Sequence, residues 1–159
     1  MTIEQLRALR EAGRHEEHVA AAKELVLREP DNVLGQIEAA YGHDRLGRER
    51  EAVRHYDAAY RLGVPEDQRR HFLTGYGSTL RNVGRADDAV GILGQAIADD
   101  PGYPPFAAFL ALALQSAGHP RTALATMLGC ALDAARPGAF DHYTRALTEY
   151  HQQLLEPAK

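Results

Sequence analysis

Cysteine occurs once in this chain of 159 residues, tryptophan not at all, and lysine twice against sixteen arginines. The lone Cys130 excludes an intrachain disulfide, and its surroundings fit no cysteine metal motif. No apolar stretch approaches the ~18 residues that a membrane span needs. The longest such run, Phe106 to Leu114, is too short. The opening Met1-Thr2-Ile3-Glu4-Gln5 has no basic region followed by an apolar one, so no signal peptide is expected and a cytoplasmic, soluble chain is the default reading. Strand signals are missing too: there is no sustained alternation and no Asn-Gly hairpin. An excess of basic charge is also lacking. The net charge of −4 argues against nucleic acid as a partner. The hydrophobic fraction of 45% and charged fraction of 25% are those of one ordinary globular domain.

What the chain does contain is a period. Gly13, Gly47, Gly84 and Gly118 are separated by 34, 37 and 34 residues. A fixed interval of this size marks stacked helical repeats, each unable to bury its apolar face alone. Seven residues before the glycines stand Leu6, Ala40, Gly77 and Ala111. Five after them stand His18, Ala52, Ala89 and Ala123, and twelve after them Leu25, Ala59, Ala96 and Cys130. Seventeen after come Pro30, Val64, Pro101 and Ala135. Small residues at the first three offsets let helices approach closely.

This pattern resembles the tetratricopeptide repeat, a helix–turn–helix unit of 34 residues with small residues at those offsets and a proline at its end. The third repeat carries it most fully, in Leu73, Tyr76-Gly77, Leu80, Gly84, Ala89, Leu93, Ala96 and Pro101. The register is similar to that of short bacterial stand-alone members of the family. The resemblance implies an all-α solenoid of four repeats, stacked into a right-handed superhelix, followed by a C-terminal capping helix. It implies a single domain over 1–159, with repeats near 2–32, 33–66, 67–103 and 104–136 and the cap at 139–155.

Local signals place the helices. Thr2 with Gln5 reads as a capping box, and Pro30 stops the second helix. Asp31-Asn32 can cap the third. The break Gly63-Val64-Pro65-Glu66-Asp67 holds the three extra residues of the longer spacing. Pro104-Pro105 and Pro120 suit the first turns of helices seven and eight. A ninth helix, about Ala139–Leu155, carries Phe140, Tyr143, Leu147, Tyr150 and Leu154 on one face. That stripe suits a cap on the fourth repeat. It suits a homodimer seam as well. A free tail on a membrane or partner is a third use, although the dearth of basic residues there argues against a membrane.

In such a repeat the first helix of each pair lines the concave face. The residues ten, six and three before each turn glycine form that stripe. They are Ile3, Arg7 and Arg10; Ile37, Tyr41 and Asp44; Thr74, Ser78 and Arg81; and Ala108, Leu112 and Gln115. Glu38, Arg45, His71, Asn82 and Phe109 border it. Arginine offers bidentate bonds to carboxylates and tyrosine offers rigid amphipathic area. A partner segment with an acidic part and an apolar part fits the mixture. The same arginines can instead pair with Glu11, Glu38 and Asp44. The lysine and asparagine with which chaperone-docking members clamp a C-terminal carboxylate are replaced by Ile3, Arg7, Ile37 and Tyr41, so that role does not carry over.

Chemistry is harder to find. His15 and His18 are three apart with Glu16-Glu17 between, whereas the zinc-protease motif needs four. Two histidines alone leave a metal site open. His43 falls on the core face of the third helix, and Cys130 at a small packing position. Gly75-Tyr76-Gly77 lacks the strand-to-helix setting of a dinucleotide loop. The expectation is a non-catalytic protein-interaction module with no cofactor and no metal, or else a structural homo-oligomer.

Overall fold

The computed structural model describes residues 1–157; the last two residues of the expected domain lie outside them. Nine α-helices and no strand are present among the described residues. They are α1 (Ile3–Glu11), α2 (His15–Arg28), α3 (Val33–Arg45), α4 (Glu49–Leu62), α5 (Arg69–Asn82), α6 (Ala86–Asp99), α7 (Pro104–Ser116), α8 (Pro120–Ala134) and α9 (Thr144–Leu155). Four helix–turn–helix pairs stack in chain order, and α9 lies on α8.

The periodic glycines explain the pairing. Each stands at a positive φ, between 68° and 87°, where a side chain is disfavoured. Around each, the same two hydrogen bonds close the first helix. At the first turn the N–H of Arg14 donates to Leu9 O at 3.0 Å and that of Gly13 to Arg10 O at 3.1 Å. The same bonds recur at Arg48/Gly47, Arg85/Gly84 and His119/Gly118. This is the Schellman cap, repeated without variation. At the other end Thr2 and Gln5 exchange both capping-box bonds, and Asn32 accepts from Gly35 N–H at 3.0 Å.

Close packing follows the small-residue offsets. Leu6, Ala40, Gly77 and Ala111 are all buried, as are His18, Ala52, Ala89 and Ala123. A Cβ on Gly77 would lie 2.6 Å from Leu93 Cγ, so α5 and α6 meet there with no room to spare. Gly75 is bare for a similar reason: a Cβ would lie 2.5 Å from Tyr56 Oη. Cys130 departs from the expected burial. It is half-exposed and donates weakly to Pro104 O at 3.5 Å.

One large core runs from α3 to α7, and a smaller one of Leu6, Ala22, Leu25 and Ala39 sits under the first pair. The junction between the second and third pairs is different. The extra residues form a loop with Gly63 at φ 97° and a short 3-10 turn, Glu66–Gln68. Here α3 and α5 touch only narrowly. Aromatic rings fill the wider gap: Tyr56 stacks on Tyr76 at 5.6 Å and meets Phe72 edge-on at 5.2 Å.

The ninth helix begins later than the sequence predicts, at Thr144 rather than Ala139. Gly138 and Asp141 both take positive φ, 77° and 52°, which turns the chain before the helix can start. Its docking face is also rotated. Phe140, Leu147 and Leu154 are half-buried, but Tyr143 and Tyr150 are 59% and 58% exposed. His151 covers Gly129, and Arg121 donates to the carbonyls of Gln153 and Leu154 at 2.7 and 3.3 Å.

Candidate functional site

The concave side is built from α1, α3, α5 and α7. Its first section is closed by ion pairing. Glu38 is only 1% exposed, and its carboxylate accepts from Arg7 Nε at 3.3 Å, lies 3.6 Å from Arg10 and bonds His18 Nε2 at 3.0 Å. The buried carboxylate is therefore answered by two guanidinium groups and an imidazole, as a buried charge requires. Ile37 is likewise core, at 1% exposure. Glu38 and Ile37, both read from the sequence as groove residues, present almost no surface. His18, which stands at a packing offset of the first repeat, is fully buried in this network.

Beyond it lies an open depression of about 850 Å³. Five residues expected at the groove line it: Arg10, Tyr41, Asp44, Arg45 and His71. Glu11, His15, Tyr56, Gln68 and Gly75 complete the lining, and sequence reasoning missed them at the site. Tyr56 comes from α4, an outer helix, and reaches inward across the wide junction; no period announces that. Gly75 leaves backbone bare where the other first helices carry side chains.

Tyr41 sits at the centre. Its ring meets His71 edge-on at 4.8 Å, and the Arg10 guanidinium lies over it at 5.4 Å. Its Oη is buried without a partner among the described residues. Burial pushes its pKa well above the ordinary phenol value, with Arg10 and Arg7 opposing. Asp44 accepts from Tyr56 Oη at 3.0 Å and Thr79 Oγ1 at 3.1 Å. Burial raises its pKa, and the two hydroxyl bonds oppose the rise. Arg45 is exposed and makes no hydrogen bond or ion pair among the described residues.

The remaining predicted residues lie along the concave side outside this depression. Thr74 donates to Arg70 O, a local helix bond, and Ser78 is half-buried. Arg81 donates to Ser116 Oγ at 2.9 Å and Asn82 Oδ1 at 3.3 Å, both neutral acceptors. Phe109 packs against the large core, whereas Leu112 is 41% exposed. Among the described residues no three His, Cys, Asp or Glu side chains converge where a metal ion could sit. None of the described helices is long and apolar enough to cross a membrane.

Helix pairs joined by one recurring cap and stacked in order define a helical-repeat solenoid. The family model described as tetratrico peptide repeat matches residues 33–154. The chain belongs to the tetratricopeptide-repeat family. No curated protein matches it. Among solved structures it is similar to YrrB, described as a TPR protein with an unusual peptide-binding site; the match covers 93% of this chain and 90% of that one, with 16% identity and a TM-score of 0.38.

Proposed function

We propose that this chain is a non-catalytic protein-interaction module that holds a segment of another protein on its concave side. The observation that carries the reading is the depression of about 850 Å³ with Tyr41, His71, Arg10 and Arg45 around it. Arginine and tyrosine anchor interfaces more often than other residues, and cavities of a few hundred cubic ångströms accept side chains of a bound partner. The partner segment combines an acidic part with an apolar part. Beyond the depression, Arg81 and the exposed Leu112 continue the same two chemistries. We read the chain as a single domain of four repeats, a bacterial-type cytoplasmic scaffold or adaptor that needs no cofactor.

The test is recovery from native lysate. Arg45 and Arg81 contact no carboxylate among the described residues, so Arg45→Glu/Arg81→Glu leaves the fold intact by helicity and reverses the groove charge. A protein held by the wild-type bait and lost by the variant is the expected result. Equal recovery by both baits sinks the groove reading.

A second reading has its own observation. Tyr150 on α9 and Tyr143 just before it stand more than half exposed, and Leu155 at the end of α9 is 59% exposed. An uncovered aromatic edge on the last helix suits a homodimer.

A further inference from the structure

Four buried side-chain polar atoms lack a hydrogen-bond partner among the described residues, and two of them, Tyr41 Oη and His15 Nδ1, belong to residues that line the same depression. An orphaned buried hydroxyl is costly, and native proteins rarely tolerate one without a use. Here the cost falls beside Arg45, a guanidinium with five donors and no acceptor in reach. An orphaned hydroxyl and a guanidinium with no carboxylate partner among the described residues therefore line one depression. What they lack is an acceptor, and the strongest acceptor a peptide carries is a carboxylate.

We propose that this cluster is a seat for the side-chain carboxylate of an internal Asp or Glu in an extended partner segment. The proposal rests on the groove reading above and says which atoms of the partner are recognised. Tyr41 Oη donates to one carboxylate oxygen, and Arg45 supplies the guanidinium to the other. Arg10 is the cover. Its guanidinium lies across the Tyr41 ring and is tethered on one side only, to Glu38 at 3.6 Å. A long side chain held at one end swings aside and brings its own N–H groups to the incoming oxygen. Glu38 keeps Arg7 and His18 when this happens, so the buried charge is not stranded.

The source of the carboxylate follows from position. The depression spans the first three helix pairs: Arg10, Glu11 and His15 line one side, Gln68, His71 and Gly75 the other, with Tyr41, Asp44, Arg45 and Tyr56 between them, and the fourth pair lies beyond α5. A segment lying along the concave side runs through this point and does not end there. Asp44, which lines the depression with Glu11, has both oxygens already accepting hydroxyl bonds. A second carboxylate beside it raises its pKa further and does not strip those bonds. The apolar neighbours of the acidic residue face the edges of Tyr41 and His71.

Tyr41→Phe tests the seat, because it removes the hydroxyl and keeps the ring. The unliganded protein is expected to gain about 2–4 °C in Tm, since a buried donor without a partner has been deleted. A fall in Tm overturns the proposal, because the hydroxyl would then be serving the fold. The binding arm uses a random dodecapeptide library displayed on phage, selected against the wild type, Tyr41→Phe and Arg45→Glu/Arg81→Glu. Wild type is expected to enrich peptides with an internal Asp or Glu beside apolar residues. The enriched peptide, synthesised with an amidated C-terminus, is expected to bind about tenfold more weakly when its acid becomes Gln, and about tenfold more weakly to Tyr41→Phe. Peptides lost on the charge-reversed variant but indifferent to Tyr41→Phe, to the acid or only needing a free C-terminus overturn the seat and leave the groove reading standing. Failure to enrich any peptide, or equal enrichment on the charge-reversed variant, overturns both.

Discussion

At the residue scale, the crowded Gly77 and the stacked pair His43 and His55 make the sharpest claims. Gly77→Leu forces branched carbons into the space of Leu93, whose Cγ already stands 2.6 Å from where a Cβ would go. Overpacking of this kind costs about 1–3 kcal/mol or more, and thermal melting should show a lowered Tm with the helical signal intact below it. An unchanged Tm would mean that α5 and α6 do not meet at this glycine. His55 makes a claim about pH. It stacks on His43 at 5.5 Å and donates from Nδ1 to Gln36 Oε1 at 2.8 Å. Burial, helped by His43, Lys23 and Arg54, pushes its pKa down to about 4, and burial lowers that of His43 as well. A base with a folded pKa below its unfolded value takes up protons more readily when unfolded. Its contribution is whole above about pH 6.5, the ordinary imidazole value, and is lost as the pH falls toward about 4. Allowing for solvent screening, about 1–2 kcal/mol goes in that window. Urea midpoints from pH 7 to 4.5 should fall less steeply in His55→Gln than in the wild type; parallel slopes would remove His55 from the acid response. The sequence shows His43 on a core face, but not that its Nδ1 lacks a partner, because the stack is completed by His55 from the next helix.

At the scale of the element, the sequence legibility is uneven for physical reasons. Helices α2, α4 and α6 each start two residues after a turn glycine, Gly13, Gly47 or Gly84, and α2 stops short of Pro30, because turn glycines and prolines are local signals. The start of α9 is not legible: no Gly or Pro interrupts Ala139 to Tyr143, yet Asp141 takes a positive φ and a short 3-10 turn precedes the helix. Its apolar stripe is visible in the sequence, yet only half of it docks. The groove shows the same division. The stripe at fixed offsets finds Tyr41, Asp44 and Arg10, while Tyr56, Gln68 and His15 reach the depression through tertiary geometry that carries no period. Arg121 makes the attachment of α9 testable. Its guanidinium satisfies carbonyls at the end of α9 that have no partner within the helix. In Arg121→Ala, hydrogen exchange over Thr144–Leu155 should quicken about tenfold while α3 to α7 keep their protection, the signature of a locally opening unit. Protection in α9 that is unmoved would place its anchorage at His151 and Gly129 instead.

For the whole molecule, stability in a stacked array is a sum of units and nearest-neighbour interfaces, so the weakest interface decides how the chain comes apart. That interface lies between the second and third pairs, where three residues are added and α3 meets α5 narrowly. Other junctions close by small residues in contact; this one is held by rings and by hydroxyl–carboxylate bonds. Tyr56 and Thr79 both donate to Asp44, and Tyr76 donates to Asp57 at 2.5 Å, where Arg85 also bonds at 2.8 Å. The same widening opens the depression proposed above as the partner's seat, so the proposed binding site and the mechanical weak point coincide. Phe72 is the fully buried ring between them, in contact with Tyr56 and Tyr76. Truncating a buried phenylalanine costs about 3–5 kcal/mol, and here the loss falls on one interface. Phe72→Ala should therefore divide the urea unfolding curve into two transitions, with the helices before Gly63 and those after Arg69 losing exchange protection at different concentrations. A single transition, displaced to lower urea with every helix losing protection together, would show that the rings join the halves no more critically than any other contact in the stack.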